Sequence, residues 1–211
     1  MGNGLAPTLT PRKSPRQDRS IATVDAIFEA TIQVLLSDGP TRLTTTRVAH
    51  RAGVSVGTLY QYFPNKQALL FAVLEQHLST LAEAVENACR DNQGANIETI
   101  AAGVVKAYLA ARMAQSEISP ALYLVAMELD ARALIEAATR RSEQAIEALL
   151  FGASDGRFND PYVIAQTLTA VIFGTVPAFC MRVMPHAASV EAEKQLTLMF
   201  SGYLAASCKA A

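Results

Sequence analysis

The chain has 211 residues, of which 51% are hydrophobic and 18% charged, enough apolar material for one large or two small domains. Its Ala- and Leu-rich make-up favours helices over strands. A net charge of −1 argues, taken whole, against a nucleic-acid binder, but the charge is unevenly spread. Residues 1–66 carry eight basic and four acidic side chains, a net +4, while the remainder carries ten and fifteen, a net −5. A basic head on an acidic body is what local phosphate binding needs. The three cysteines, Cys89, Cys180 and Cys208, are far apart and form no C-x-x-C, so they read as reduced thiols packed as small apolar groups. The N-terminus lacks a basic region followed by an apolar run, and a cytoplasmic protein is expected.

Residues 1–18 are rich in Pro, Arg, Ser and Gly without periodicity and should form a flexible basic arm. It is either a solvated tail or an arm for an adjacent minor groove, with Arg16 and Arg19 nearest the folded part. A first helix is expected over Arg19–Ser37, with Val24, Ile27, Phe28, Thr31 and Leu35 on one face and Gly39-Pro40 as its stop. Next come two short helices broken by one tight turn. Thr45 to Ala52 presents Val48, Ala49 and Ala52 inward, and Gly53 ends it cheaply in a left-handed conformation. Ser55 is an N-cap candidate for Val56 to Phe63, which buries Leu59 and Phe63 before Pro64 closes it. Two brief helices around a Gly-containing turn make a helix-turn-helix. The second presents Val56, Gly57, Thr58, Gln61 and Tyr62 outward, with Tyr60 on its flank. Small residues at its start allow close approach to a groove, and hydroxyls suit phosphate oxygens.

Thr45-Thr46-Arg47-Val48-Ala49, Ala52-Gly53-Val54-Ser55 and Gly57-Thr58-Leu59-Tyr60-Gln61-Tyr62-Phe63-Pro64-Asn65-Lys66 resemble the DNA-binding signature of the tetracycline-repressor (TetR) family of transcriptional regulators. The resemblance runs from about Ile21 to Leu74. It implies an all-helical homodimer with an N-terminal operator-binding domain and a C-terminal ligand-sensing domain. Carried over residue by residue, it implies that Thr45 and Thr46 meet phosphate or a base edge. Val56, Gly57 and Thr58 would enter the major groove, Tyr60 and Tyr62 would bond phosphates, Gln61 would read adenine, and Lys66 would add charge. Members differ most at the positions of Thr46, Val56 and Gly57, so the resemblance does not give an operator sequence.

After Asn65 a long helix carries Leu69, Leu70, Val73, Leu74, Leu78, Leu81 and Val85 as far as Asn92-Gln93-Gly94. The domain division expected is therefore arm 1–18, head 19–66 and body 67–211. In the body, Asn96 caps a helix with Ile97, Ile100, Val104, Val105 and Tyr108 inward, and Ser119-Pro120 opens a short one through Leu129. Asp130 to Leu150 is another, and Gly152 to Asn159 is a polar loop. Between Asp160 and Arg182 lie 21 uncharged residues, long enough to span a bilayer. Four polar residues and Pro177 dilute them, which fits a helix buried on all sides better. A last helix runs from Ser189 to about Cys208, and no strand pattern is present.

Ala192, Leu196, Met199 and Tyr203 recur on the last helix at coiled-coil spacing, and Ala170, Gly174 and Ala178 allow close approach on the one before. A four-helix homodimer contact is expected there, intramolecular packing being the alternative. Tyr108, Met113, Tyr123, Met127, Phe173 and Phe179 are candidate liners of a pocket for a small, mostly apolar effector, whose polar end Arg112 or Glu128 could orient.

No enzyme, cofactor or metal site is expected. Gly53-Val54-Ser55-Val56-Gly57 matches the G-x-S-x-G nucleophile elbow, but a helix precedes it where a strand is required. His50, His77 and His186 have no ligand spacing, and Asp155 to Asp160 lacks the alternating oxygens of a calcium loop. The expectation is an all-α protein that binds double-stranded DNA as a homodimer and is released by an effector. The alternative is a helical ligand-binding or scaffold protein that does not use its head.

Overall fold

The computed structural model describes residues 18–180 and 186–209, with side chains over 20–174 and 190–209. Among the described residues the fold is all-α. The described residues form nine helices in order: α1 Asp18–Arg42, α2 Thr45–Arg51, α3 Val56–Tyr62, α4 Lys66–Asp91, α5 Ile97–Ala114, α6 Ser119–Glu128, α7 Arg132–Phe151, α8 Pro161–Cys180 and α9 His186–Ser207. Strand was not expected, yet β1 (Arg157–Phe158) pairs antiparallel with β2 (Cys208–Lys209). Two residues a side are too few to leave a period-two pattern. The chain forms two compact units, residues 1–77 with 120–132, and 78–119 with 133–211. The division falls inside α4.

In the first unit α1 continues past its expected stop through a kink at Gly39. It packs along α2, and α2 crosses α3. Ile27, Leu35, Leu43, Val48, Ala49 and Leu59 are fully enclosed, and the rings of Phe28 and Phe63 meet at 5.6 Å. Leu59 is the pin of the short α3. Truncation by Leu59→Ala should cost the first unit about 2–5 kcal/mol, read by chemical denaturation; a loss under about 1 kcal/mol would mean α3 is held by other means.

In the second unit α5 lies alongside α9, and α8 touches both. The core gathers Leu81, Val85, Ile100, Val104, Ile146, Leu149, Leu168, Phe200 and Leu204. The polar loop after α7 helps to start α5. Asp155 Oδ1 accepts from Ile97 N at 2.9 Å and Asn96 Oδ1 from Thr99 N at 2.9 Å, so both cap that helix. Arg141 of α7 donates to both oxygens of Glu86 at 2.8 Å and to Ser79 Oγ at 2.9 Å. That fork holds the Glu86 carboxyl below the usual carboxylate range. The stabilisation is present above the unfolded pKa and fades as pH falls through the folded one. Burial pushes the Cys89 thiol up to about 12, which keeps it protonated and unreactive.

Within a single chain the uncharged helix is buried on one side only. Tyr162, Val163, Thr167, Ala170 and Gly174 of α8 face solvent, while Ile164, Leu168 and Ile172 face the core. Small and hydroxyl residues on the outer side leave the helix uncharged without making it central.

Candidate nucleic-acid interface

The motif is held by its caps. Thr44 Oγ1 accepts from Arg47 N at 3.3 Å and starts α2. Ala52 N bonds Val48 O at 2.8 Å, and Gly53, at φ +68°, turns the chain where an L side chain would be strained. Ser55 Oγ then accepts from Thr58 N at 3.0 Å and shares a hydrogen bond with Thr58 Oγ1 at 2.8 Å. Asn65 Oδ1 accepts from Ala68 N at 2.7 Å and starts α4. Polar caps at Thr44, Ser55 and Asn65, with the left-handed Gly53 between them, thus set the angle at which α3 leaves the turn.

That geometry exposes Gly57, Tyr60 and Gln61 and leaves Val56 and Thr58 half-exposed, while Leu59 is buried. A Cβ built at Gly57 meets only Ser55 Oγ, at 3.7 Å, so the start of α3 is bare backbone. On α2, Thr46 and Arg47 are exposed and Thr45 half-exposed. The hydroxyls of Thr45 and Tyr60 bond at 3.1 Å, joining the two helices at the surface. The arrangement is slim and hydroxyl-lined, and lies at the start of a helix.

Two expected contacts are placed differently. Tyr62 is only 8% exposed, and its ring meets Phe63 at 6.4 Å. It lies three residues after Leu59 and so shares the inward face. Lys66 is half-buried and donates to Pro40 O at 2.7 Å, tying the start of α4 to the last turn of α1, just past its kink. Other basic groups of the head are also engaged. Arg47 pairs with Asp38, Arg51 Nε donates to Gln33 Oε1 at 2.6 Å, and Arg42 Nε to Asp38 O at 3.2 Å. Arg16 lies outside the described residues, and the side chain of Arg19 outside the described side chains.

The expected effector and dimer residues scatter. In the second unit Tyr108 is buried and its ring lies 5.1 Å from that of Phe173, with Met113 half-buried. Tyr123 and Met127 instead sit on the outer face of α6, Met127 at 71% exposure, because Leu122 and Val125 take the inner one. Phe179 and Ala178 lie outside the described side chains. On α9, Leu196 is buried with Phe200 and Leu204, and Tyr203 packs on the same core. Ala192 is half-buried. Met199 is exposed, as are Ala170 and Gly174 of α8; the most exposed large apolar side chain described on α9 is Leu198, at 68%. Sequence reasoning also missed an open groove of about 850 Å³ lined by Ile97, Ala102, Val190, Lys194 and Leu198. Its residues are far apart in the chain and carry no shared pattern. Among the described residues no three metal-ligating side chains cluster.

Residues 27–73 match the sequence profile described as bacterial regulatory proteins, tetR family. Over 100 residues the chain is 34% identical to the nucleoid occlusion factor SlmA of Actinobacillus pleuropneumoniae, covering 46% of each chain. The chain thus spans about half the length of this curated relative. The fatty acid degradation regulator FadR of Bacillus halodurans superposes with a TM-score of 0.68 at 16% identity, over 90% of this chain and 97% of that one. The transcriptional regulator FadR of Bacillus subtilis, solved in complex with stearoyl-CoA, superposes with a TM-score of 0.63 at 17% identity, over 84% and 97%. At such identities the two structures establish a shared fold.

Proposed function

The head of this chain belongs to the tetR family of bacterial regulatory proteins, and from that premise we propose a repressor that binds a palindromic operator as a homodimer and is released by a small-molecule effector. The observation that carries the reading is the bare, capped start of α3, where Gly57 offers backbone and Val56 and Thr58 flank it. A helix start of this shape fits the major groove, with Val56 against a thymine methyl and Gln61 against adenine. Thr45, Thr46 and Tyr60 supply phosphate contacts, and the arm with Arg16 and Arg19 adds charge beside the site. Two-fold pairing through the exposed sides of α8 and α9, at Ala170, Gly174, Leu198 and Met199, doubles the contact and fixes half-site spacing. The B. subtilis FadR structure, with stearoyl-CoA bound, supports a ligand-sensing second unit with an apolar site near Tyr108 and Phe173.

Selection of bound fragments from genomic DNA tests this. Recovery of one palindromic site supports the regulator, and recovery of random sequence contradicts it. Tyr60→Phe should weaken selected and random duplexes alike, by about 3–10-fold for one hydroxyl contact per half-site, as read by fluorescence anisotropy. A changed sequence preference would place Tyr60 on a base instead.

A further inference from the structure

Among the described residues Arg112 is the one Lys, Arg, Asp or Glu that is buried, at 8% exposure. Its Nε is shielded from solvent and has no acceptor. Three residues on, Gln115 Oε1 is also shielded and has no donor. Arg112 sits on the same face of α5 as the buried Tyr108, one turn beyond it and its ring contact with Phe173, and Gln115 is the C-cap of that helix. An open donor therefore lies at the end of an aromatic, apolar stretch, and an open acceptor at the C-cap just beyond it.

A guanidinium carries its charge wherever the fold places it. A buried charge is held at low cost only beside a counter-charge and with its hydrogen bonds made. The remaining buried polar side chains described are Thr31, His77, Ser119, Ser142 and Thr169, none of them a carboxylate. Among the described residues there is therefore no buried anion for this cation.

We infer that the second unit takes an amphiphile with an anionic head, whose carboxylate or phosphate oxygen accepts from Arg112 Nε while its apolar body packs at Tyr108 and Phe173. A hydroxyl or amide N–H near the head would satisfy Gln115 Oε1. This deepens the sensing reading above and rests on it for equating that ligand with the effector.

Calorimetry on the full chain with decanoate, decyl phosphate and decanol, each below its micelle concentration, tests the inference. One charge-assisted hydrogen bond is worth about 10–100-fold, so at least one anion should bind that much more tightly than decanol. Which anion leads tells a carboxylate head from a phosphate head. Arg112→Met should bring the anion down to the affinity of the alcohol and leave decanol unchanged, and Arg112→Lys should fall between. Without ligand, Arg112→Met should melt higher, since it removes an uncompensated charge. Equal wild-type affinities for the three probes, or no binding of either anion, overturns the inference whether or not the variant folds. So does an Arg112→Met chain that melts lower and still prefers the anion, because water within the fold would then be satisfying the guanidinium. The two readings fail separately. Anions that bind through Arg112 without moving operator affinity sink the sensing reading alone. Decanol that releases operator as well as decanoate does sinks the anionic head alone.

Discussion

Raising salt from about 50 to 200 mM should weaken operator binding by about 10³–10⁵-fold, if the symmetric pair neutralises about six to ten phosphates. The chain's overall charge of −1 makes this a sharp test, because nothing but the local distribution can produce the slope. The head has the charge, but much of it is tied up. Arg47 is paired with Asp38, and Lys66 and Arg51 donate to protein oxygens. Helix-start N–H groups and the hydroxyls of Thr45, Thr46 and Tyr60 carry no net charge and release few counterions. A slope at the shallow end would thus mean that backbone and hydroxyls dominate, and a steep one that these pairs open on DNA and the arm joins in. Anisotropy titrations at four or five salt concentrations separate these outcomes. A flat response contradicts phosphate binding altogether.

Gly57→Trp should abolish specific binding, with a loss of at least ~100-fold, and leave the fold intact. The structural cost is small because a side chain at this position leaves toward open space, with only Ser55 Oγ near its Cβ. Stability should stay within about 0.5 kcal/mol of wild type, as for other surface positions. The functional cost is large because an indole on the slim end of α3 holds the helix out of the groove and breaks several base contacts at once. Each good base contact is worth about 1–3 kcal/mol, and two of them account for the expected loss. Gly57→Ala, which adds one methyl, should lose far less. Circular dichroism melts alongside anisotropy distinguish the cases. A Gly57→Trp chain that binds as well as wild type would remove α3 from the interface.

The motif is legible in the sequence because its ends are chemically marked. Thr44, Ser55 and Asn65 each accept a backbone hydrogen bond at a helix start, and Gly53 takes the one left-handed position of the motif. Such signals are local and survive without any tertiary information. Tyr62 shows where local reading stops. Leu59 and Phe63 read as inward from their spacing, yet the i, i+3 partner of Leu59 turns the same way, and its polar hydroxyl masks that geometry.

The same limit governs α9 of the second unit and α6 of the first. On α9 two apolar stripes cross at Leu196. One is Ala192, Leu196, Met199 and Tyr203, and the other is Leu196, Phe200 and Leu204. Periodicity finds both but does not say which faces the chain's own core, and the structure gives that role to the second. On α6 the large groups Tyr123 and Met127 suggest a pocket, while the smaller Leu122 and Val125 are the buried ones. Arg112, read from the sequence with Glu128 as a group for a ligand's polar end, carries no sign of its burial. An arginine on an otherwise apolar helix reads as a solvent-facing residue until burial is known.

Backbone amide shifts of the ¹⁵N-labelled chain, titrated with the selected duplex, test the use of this head most directly. Resonances of Thr45 to Arg47 and of Ser55 to Gln61 should move with the binding curve, and most strongly at Gly57. Saturating duplex that leaves those amides in place would contradict the account.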